Sequence, residues 1–190
     1  MNLKSIAVFC GANTGFDPSY TAAAVEIGKT FAQQKIRTVY GAGNVGLMGI
    51  LADAALEAGG EVLGVIPYFL KEKEVCHAGL TELIVTKSMH ERKEIIAERS
   101  DGFIILPGGF GTLDEFFEIL TWRQLRLHNK PIGILDVGGF YQHLLAHVRL
   151  MCEKGLLRAA NTLLFQVADN LPELLVKMSE PPALSEEKWL

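Results

Sequence analysis

Three glycines fall within four residues at Gly108, Gly109 and Gly111, and a carboxylate, Glu115, follows four positions later. The full stretch is Leu106-Pro107-Gly108-Gly109-Phe110-Gly111-Thr112-Leu113-Asp114-Glu115. An apolar run, Gly102 to Leu106, precedes it and reads as a buried strand; Phe116 to Trp122 continues it as a helix. Strand, glycine turn and helix N-terminus together make a site for an anion. The first N–H groups of a helix lack intrahelical partners, and its dipole brings positive charge to the same place. Glycine belongs where a ligand approaches the backbone too closely for a Cβ. Thr112 and Glu115 also match a T-x-x-E capping box, in which Glu115 only reaches back to the Thr112 N–H. Physical chemistry alone gives an anion pocket with a carboxylate in the first helical turn.

A second cluster is Ser88-Met89-His90-Glu91-Arg92-Lys93. Ser88 and Glu91 form an S-x-x-E capping box, so a helix starts at Ser88. Arg92 and Lys93 then lie near its first turn, where the dipole disfavours each cation by roughly 0.3–1 kcal/mol. Cations placed there suggest a compensating anion nearby. The alternative is that Glu91 and Glu94 offset them on a solvated face. Both readings stay open at this level.

Other motifs carry less. Gly41-Ala42-Gly43-Asn44-Val45-Gly46 has the letters of the dinucleotide fingerprint. It follows the second strand rather than the first, and the acidic residue about 20 positions on, Glu61, begins a strand instead of ending one. NAD is not expected; a loop against some phosphate or ribose is. Gly28-Lys29-Thr30 resembles the end of a P-loop but has Ala23 at the leading glycine position and lies inside a helix. His143 and His147 share a helix face with no third ligand in register, so no metal site is expected.

The elements that must position these residues alternate. Strands are expected at Ile6–Cys10, Arg37–Tyr40, Glu61–Ile66, Leu83–Val85, Gly102–Leu106, Pro131–Leu135 and Leu163–Val167. Helices are expected from Pro18 to Gln34, Gly46 to Ala58, Ser88 to Glu98, Thr112 to about Leu127, Phe140 to Lys154 and Pro172 to Met178. Residues 68–80 read as a loop with a short helix. Apolar strands alternating with helices predict an α/β fold: a doubly wound, Rossmann-like parallel sheet with helices on both faces. Ligands of such folds bind at the carboxyl ends of the strands, where Gly11 to Gly15, Gly41 to Gly49 and Gly108 to Gly111 fall. No linker or repeat divides the chain, so residues 1–180 are expected to form one domain, with residues 181–190 a frayed tail.

Composition narrows the function classes. The chain has 190 residues, 49% hydrophobic and 21% charged, with a formal net charge of −4. Neither nucleic acid nor a membrane surface suits that balance, since both call for a basic face. Any phosphate must be met by local donors. Three cysteines, Cys10, Cys76 and Cys152, lack metal-ligand spacing and read as free thiols of a reducing compartment. Residues 1–5 run into the first strand without an apolar signal core, and no stretch reaches membrane-spanning length, so a cytoplasmic protein is expected.

The two clusters together closely resemble the Lonely Guy family, the cytokinin riboside 5′-monophosphate phosphoribohydrolases. Its P-G-G-x-G-T-x-x-E signature matches Pro107 to Glu115, and its preceding M-H-x-R-K helix matches Met89 to Lys93. The resemblance runs from the first strand through about Leu157. It implies hydrolysis of the N-glycosidic bond of a purine nucleoside 5′-monophosphate, of cytokinin type or AMP, to free base and ribose 5-phosphate. By matching position, Arg92 and Glu115 are the implied catalytic pair. Glu74, Lys93, Thr121, Gly43, Met89 and the run Gly108, Gly109, Phe110, Gly111, Thr112, Leu113, Asp114 are implied for substrate binding. The family needs no metal or organic cofactor, and its members are homodimers or larger assemblies. The seven apolar residues Phe116, Phe117, Ile119, Leu120, Trp122, Leu125 and Leu127 agree, being more than a one-sided surface helix requires. Related sequences are often labelled lysine decarboxylases, but that chemistry uses pyridoxal phosphate on a lysine in a larger fold. A non-catalytic nucleotide or cofactor carrier on the same fold, and a general nucleotide nucleosidase, are the remaining alternatives.

Overall fold

Short, largely apolar strands alternate with helices along the chain, and that repetition sets the architecture of the molecule. The structure, a computed structural model, describes residues 3–71 and 76–180. Seven strands form one parallel sheet: β1 (Ser5–Phe9), β2 (Arg37–Tyr40), β3 (Val62–Pro67), β4 (Glu82–Thr86), β5 (Gly102–Ile105), β6 (Ile132–Leu135) and β7 (Gln166–Ala168). Their order is β4-β3-β2-β1-β5-β6-β7. The helices between them are α1 (Pro18–Gln34), α2 (Gly46–Glu57), α3 (Tyr68–Lys71), α4 (Met89–Glu98), α5 (Phe110–Gln124), α6 (Gln142–Glu153) and α7 (Leu171–Ser179).

Alternate residues of the central strands face opposite cores. On one face Ile6, Val8 and Ile104 pack with Ala24, Ile27 and Phe31 of α1, Leu51 of α2 and Leu174 of α7. On the other, Ala7, Phe9, Phe103 and Ile105 pack with Ile96 of α4, Phe116 and Ile119 of α5, and Val148 of α6. The fold is therefore doubly wound, as the alternation of apolar strands and helices requires. Local chemistry sets the ends of α1: the Asp17 side chain accepts the Ser19 N–H at 2.9 Å, Pro18 opens the helix, and Lys35 closes it with φ 57°.

Several boundaries differ from the sequence expectation. Residues 159–164 form a 3-10 helix, so the last strand begins at Gln166, not Leu163. A 3-10 turn, Val137–Gly139, with Gly138 at φ 62°, delays α6 to Gln142. Most consequential, α5 begins at Phe110, two residues ahead of Thr112, and ends at Gln124 rather than Leu127. Strand β4 is an edge strand: Leu83 and Val85 are exposed, so it is not covered on both sides. On α5, Phe116 and Ile119 are core, Leu120 and Trp122 lean on it, and Phe117 is exposed; Leu125 and Leu127, just past the helix end, are exposed as well. The tail assigned to residues 181–190 lies outside the described residues.

Candidate active site

The strand order reverses direction at β1, which pairs with β2 on one side and β5 on the other. Connections leaving these strands part to opposite faces and leave a crevice at their carboxyl ends. A cavity of about 400 Å³ lies there. The β1–α1 loop lines it with Cys10 to Gly15, α1 with Tyr20, α2 with Leu47 and Met48, and α3 with Leu70. Arg92 enters from α4; Pro107, Gly108, Gly109, Gly111, Thr112 and Glu115 come from the β5–α5 segment, and Phe140 closes the far side.

The start of α5 is the part of the cavity that can receive an anion. Gly109 is its N-cap, and no side chain caps the helix. The N–H groups of Phe110, Gly111 and Thr112 therefore lack intrahelical acceptors. A Cβ added at Gly109 or Gly111 meets no atom within 4 Å. The protein's own packing does not demand glycine at either position, and both leave the backbone open to close approach. Gly108 differs, because a Cβ there runs into the Thr112 side chain.

The chemical half is a buried ion pair. Arg92 is 9% exposed; its Nε donates to the Val65 carbonyl at 3.0 Å and its Nη2 to the Gly41 carbonyl at 3.4 Å. A side chain at Gly41 would collide with this guanidinium, so the glycine keeps its path open. Arg92 Nη1 lies 3.4 Å from Glu115 Oε1. Burial pushes the Glu115 carboxyl up to about 7; Arg92 opposes the rise most strongly, while Asp114 adds to it, Lys93 opposes it and Glu118 adds to it. A carboxyl titrating near neutrality beside a fixed cation suits proton transfer or stabilisation of developing positive charge. Beneath it, burial and the Glu115 charge both raise the Cys10 thiol far above its ordinary value, keeping it neutral.

The T-x-x-E capping box at Thr112 is not formed. Thr112 is the third residue of α5, and Glu115 stands in the second turn with its carboxylate toward Arg92. The helix opens earlier because Gly109, rather than the threonine, takes the extended cap conformation. On α4, Ser88 does accept the Glu91 N–H at 3.1 Å, but Glu91 accepts from the Lys87 N–H at 2.6 Å, one residue before the cap. The solvated-face reading of Arg92 and Lys93 also fails, because both meet carboxylates of α5.

Of the residues implied for substrate binding, Gly108, Gly109, Gly111 and Thr112 line the cavity. Phe110 is 94% exposed, and Leu113 packs toward the core. Lys93 lies 3.1 Å from Asp114 and 2.9 Å from Glu118; burial lowers its ammonium, but the Glu118 and Asp114 partners outweigh that and hold it above its ordinary value. Thr121 is exposed beyond Glu115 on α5, and Met89 is half-buried at the start of α4. Gly43 is buried behind Met48 and bridges to Cys76. Glu74 lies outside the described residues. Asn13, Tyr20, Met48, Leu70 and Phe140 also line the cavity, and no motif in the sequence marks them. Only the glycines at Gly11 and Gly15 marked that loop; the Tyr20–Phe140 edge contact, with ring centroids 5.7 Å apart, joins α1 to the turn ahead of α6 and has no sequence signal. Among the described residues no group of three or more His, Cys, Asp or Glu could hold a metal ion, and His143 and His147 are exposed on α6.

An uncapped helix N-terminus and an Arg–Glu pair share one crevice of a Rossmann-like sheet, an arrangement suited to an anionic ligand. Comparison with known proteins agrees. Residues 48–178 match the family model described as "Possible lysine decarboxylase". A protein of Oryza sativa subsp. japonica, named "Probable cytokinin riboside 5'-monophosphate phosphoribohydrolase", is 44% identical over 181 residues, 95% of this chain and 79% of that one. The cytokinin riboside 5'-monophosphate phosphoribohydrolase of Rhodococcoides fascians is 49% identical over 158 residues, 83% of this chain and 80% of the other. The molybdenum cofactor binding protein of Rippkaea orientalis superposes with a TM-score of 0.68 at 22% identity, covering 95% of this chain and 97% of that one, a likeness of fold. The chain belongs to the Lonely Guy family of phosphoribohydrolases.

Proposed function

We propose that this chain hydrolyses the N-glycosidic bond of a purine nucleoside 5′-monophosphate, AMP or an N6-substituted cytokinin type, to free base and ribose 5-phosphate. The observation that carries the reading is one cavity holding both the uncapped N-terminus of α5 and the buried Arg92–Glu115 pair. The relatives' names support the same reaction. The phosphate lies against the N–H groups of Phe110, Gly111 and Thr112, which sets the ribose beside Glu115. As the bond from C1′ to the base breaks, the ribose gains positive charge that the Glu115 carboxylate stabilises. Water then forms the new C1′–O bond and Glu115 accepts its proton; the departing nitrogen of the base takes a proton from solvent, to which Glu115 releases the one it accepted. Arg92, anchored to two backbone carbonyls, offsets the negative charge leaving with the base. The reaction calls on no cofactor.

The exposed Phe117 on α5 and Leu125 and Leu127 just past its end, with Phe110 at its start, support a homodimer or higher homo-oligomer. Among the described residues no helix is long and apolar enough to cross a membrane, and the free thiols fit a cytoplasmic location.

The test is incubation with AMP and with N6-isopentenyl-AMP, following free base by chromatography. Base is expected from at least one, and Glu115→Gln is expected to abolish its release while nucleotide binding persists. No base from either substrate would favour a carrier; turnover by Glu115→Gln would remove the carboxylate from the mechanism.

A further inference from the structure

The cavity holds its charged pair at one end and two aromatic rings at the other, and the strand order tells the ends apart. Arg92 reaches it beside β2 and β3, bonding the Gly41 and Val65 carbonyls, with Met48 and Leu70 at the same end. Tyr20 of α1 and Phe140, in the turn after β6, stand at the opposite end, beyond β1 and β5. The start of α5 lies between the two. Tyr20 and Phe140 meet edge to face with centroids 5.7 Å apart, and Phe140 meets Tyr141 in the same way at 4.9 Å. The Tyr141 hydroxyl donates to the Leu106 carbonyl at 2.6 Å, just ahead of the glycine turn. The β1–α1 loop presses on the rings as well, since a Cβ at Gly15 would stand 3.0 Å from the Tyr20 ring. Three rings in series therefore tie an aromatic wall to the glycine turn.

Charge is graded along the same axis. Among the described residues that line the cavity Arg92 is the one cation, and it stands away from the rings, paired with Glu115. Two carboxylates stand behind the rings. The Asp17 backbone carbonyl accepts the Tyr20 N–H, and one of its carboxylate oxygens lies 3.5 Å from where a Cβ would sit on Gly138. Asp136 accepts the Tyr141 N–H at 2.7 Å. A phosphate at the start of α5 is met by N–H groups, but a second phosphate attached to it meets only rings backed by carboxylates. We propose that Tyr20 and Phe140 are specificity-determining residues: their rings end the cavity one phosphate beyond the ribose, so the site takes a 5′-monophosphate and turns away the matching di- and triphosphates. A block combined with unmatched charge discriminates without any added contact to the preferred ligand. This rests on the reading above that sets the phosphate at the start of α5 and the ribose beside Glu115.

The test compares AMP with ADP by calorimetry, every protein carrying Glu115→Gln so that neither nucleotide is consumed during the titration. With no further change, AMP should bind at least about tenfold more tightly than ADP. Phe140→Ala takes away half of the wall and should narrow that ratio by about tenfold, chiefly by strengthening ADP. If Phe140→Ala does not fold, Phe140→Leu decides, since it keeps apolar bulk in the turn but shortens its reach; the ratio should narrow in the same direction. Tyr20→Phe keeps the ring and should keep both the ratio and the AMP affinity. Equal binding of AMP and ADP before the wall is altered overturns the proposal, and so does a ratio that the deciding Phe140 variant leaves unmoved. Loss of AMP affinity in Tyr20→Phe also overturns it, because the hydroxyl would then be a phosphate contact rather than part of a wall. Failure of the functional reading is seen elsewhere: no base is released by wild type from AMP or N6-isopentenyl-AMP, or Glu115→Gln still releases it. Failure of this proposal leaves base release as expected and shows only in the AMP-to-ADP ratio or in Tyr20→Phe.

Discussion

At the scale of single residues, the clearest mark of a ligand is what glycine leaves empty. Gly111 lies inside α5 with no positive φ, and a Cβ on it meets nothing within 4 Å. An alanine there keeps the helix and restricts the unfolded chain, which stabilises by about 0.4–1 kcal/mol. Gly111→Ala should thus unfold at slightly higher urea than wild type and bind AMP about tenfold more weakly, because the methyl occupies cavity space. Urea titration and calorimetry separate the two effects. An equal loss of stability and binding would make Gly111 a packing residue. The sequence pattern marked this position but gave no means to separate it from Gly108, whose side chain space is taken by Thr112.

At the scale of elements, the glycine turn is held from below. Tyr141, just ahead of α6, is buried, and its hydroxyl donates to the Leu106 carbonyl at 2.6 Å. Its own N–H donates to Asp136 Oδ1 at 2.7 Å. Burial raises the phenol well above its ordinary range, so it remains a donor throughout the working pH. Tyr141→Phe leaves the Leu106 carbonyl without this donor and should lower the unfolding free energy by about 1–3 kcal/mol, read by urea denaturation. Nucleotide affinity should fall too, since Leu106 leads directly into the glycine turn proposed to hold the phosphate. An unchanged unfolding midpoint would show that the bond contributes nothing. The tie was not legible beforehand, because Leu106 and Tyr141 belong to different elements and no spacing rule connects them. The start of α5 was misjudged for a related reason: a threonine reads as a better cap than a glycine, but Gly109 adopts the cap conformation and leaves the N–H groups for a ligand.

At the scale of the whole molecule, the fold maintains a carboxyl that would be more stable neutral. Glu115 takes up its proton near pH 7 in the folded state against a reference of 4.5, so the folded chain binds that proton more tightly than the unfolded one. Its stabilising contribution is complete below about pH 4.5 and is lost as pH rises through about 7. The shift corresponds to roughly 3 kcal/mol across that window. Glu115→Gln lacks this slope, and Arg92 keeps its two carbonyl partners in the variant. The variant should therefore gain on wild type as pH rises from about 5 to 8, measured by urea unfolding at both ends. A constant difference would place the Glu115 titration elsewhere.

Most of the architecture was readable from one chain because it depends on local chemistry. Apolar runs bounded by glycine and proline gave the strands, helical spacing and caps gave the helices, and their alternation gave a parallel doubly wound sheet. The glycine turn was readable for the same reason, since strand, glycines and helix start are contiguous. Strand order, and with it the crevice between β1 and β5, depends on which distant strands pair. Only the tertiary structure decided that Glu115 faces Arg92 rather than its own helix cap, and that Lys93 faces α5 rather than the cavity. Those outcomes turn on helix-to-helix packing and burial, which determine where a charge is held and whether it stays ionised.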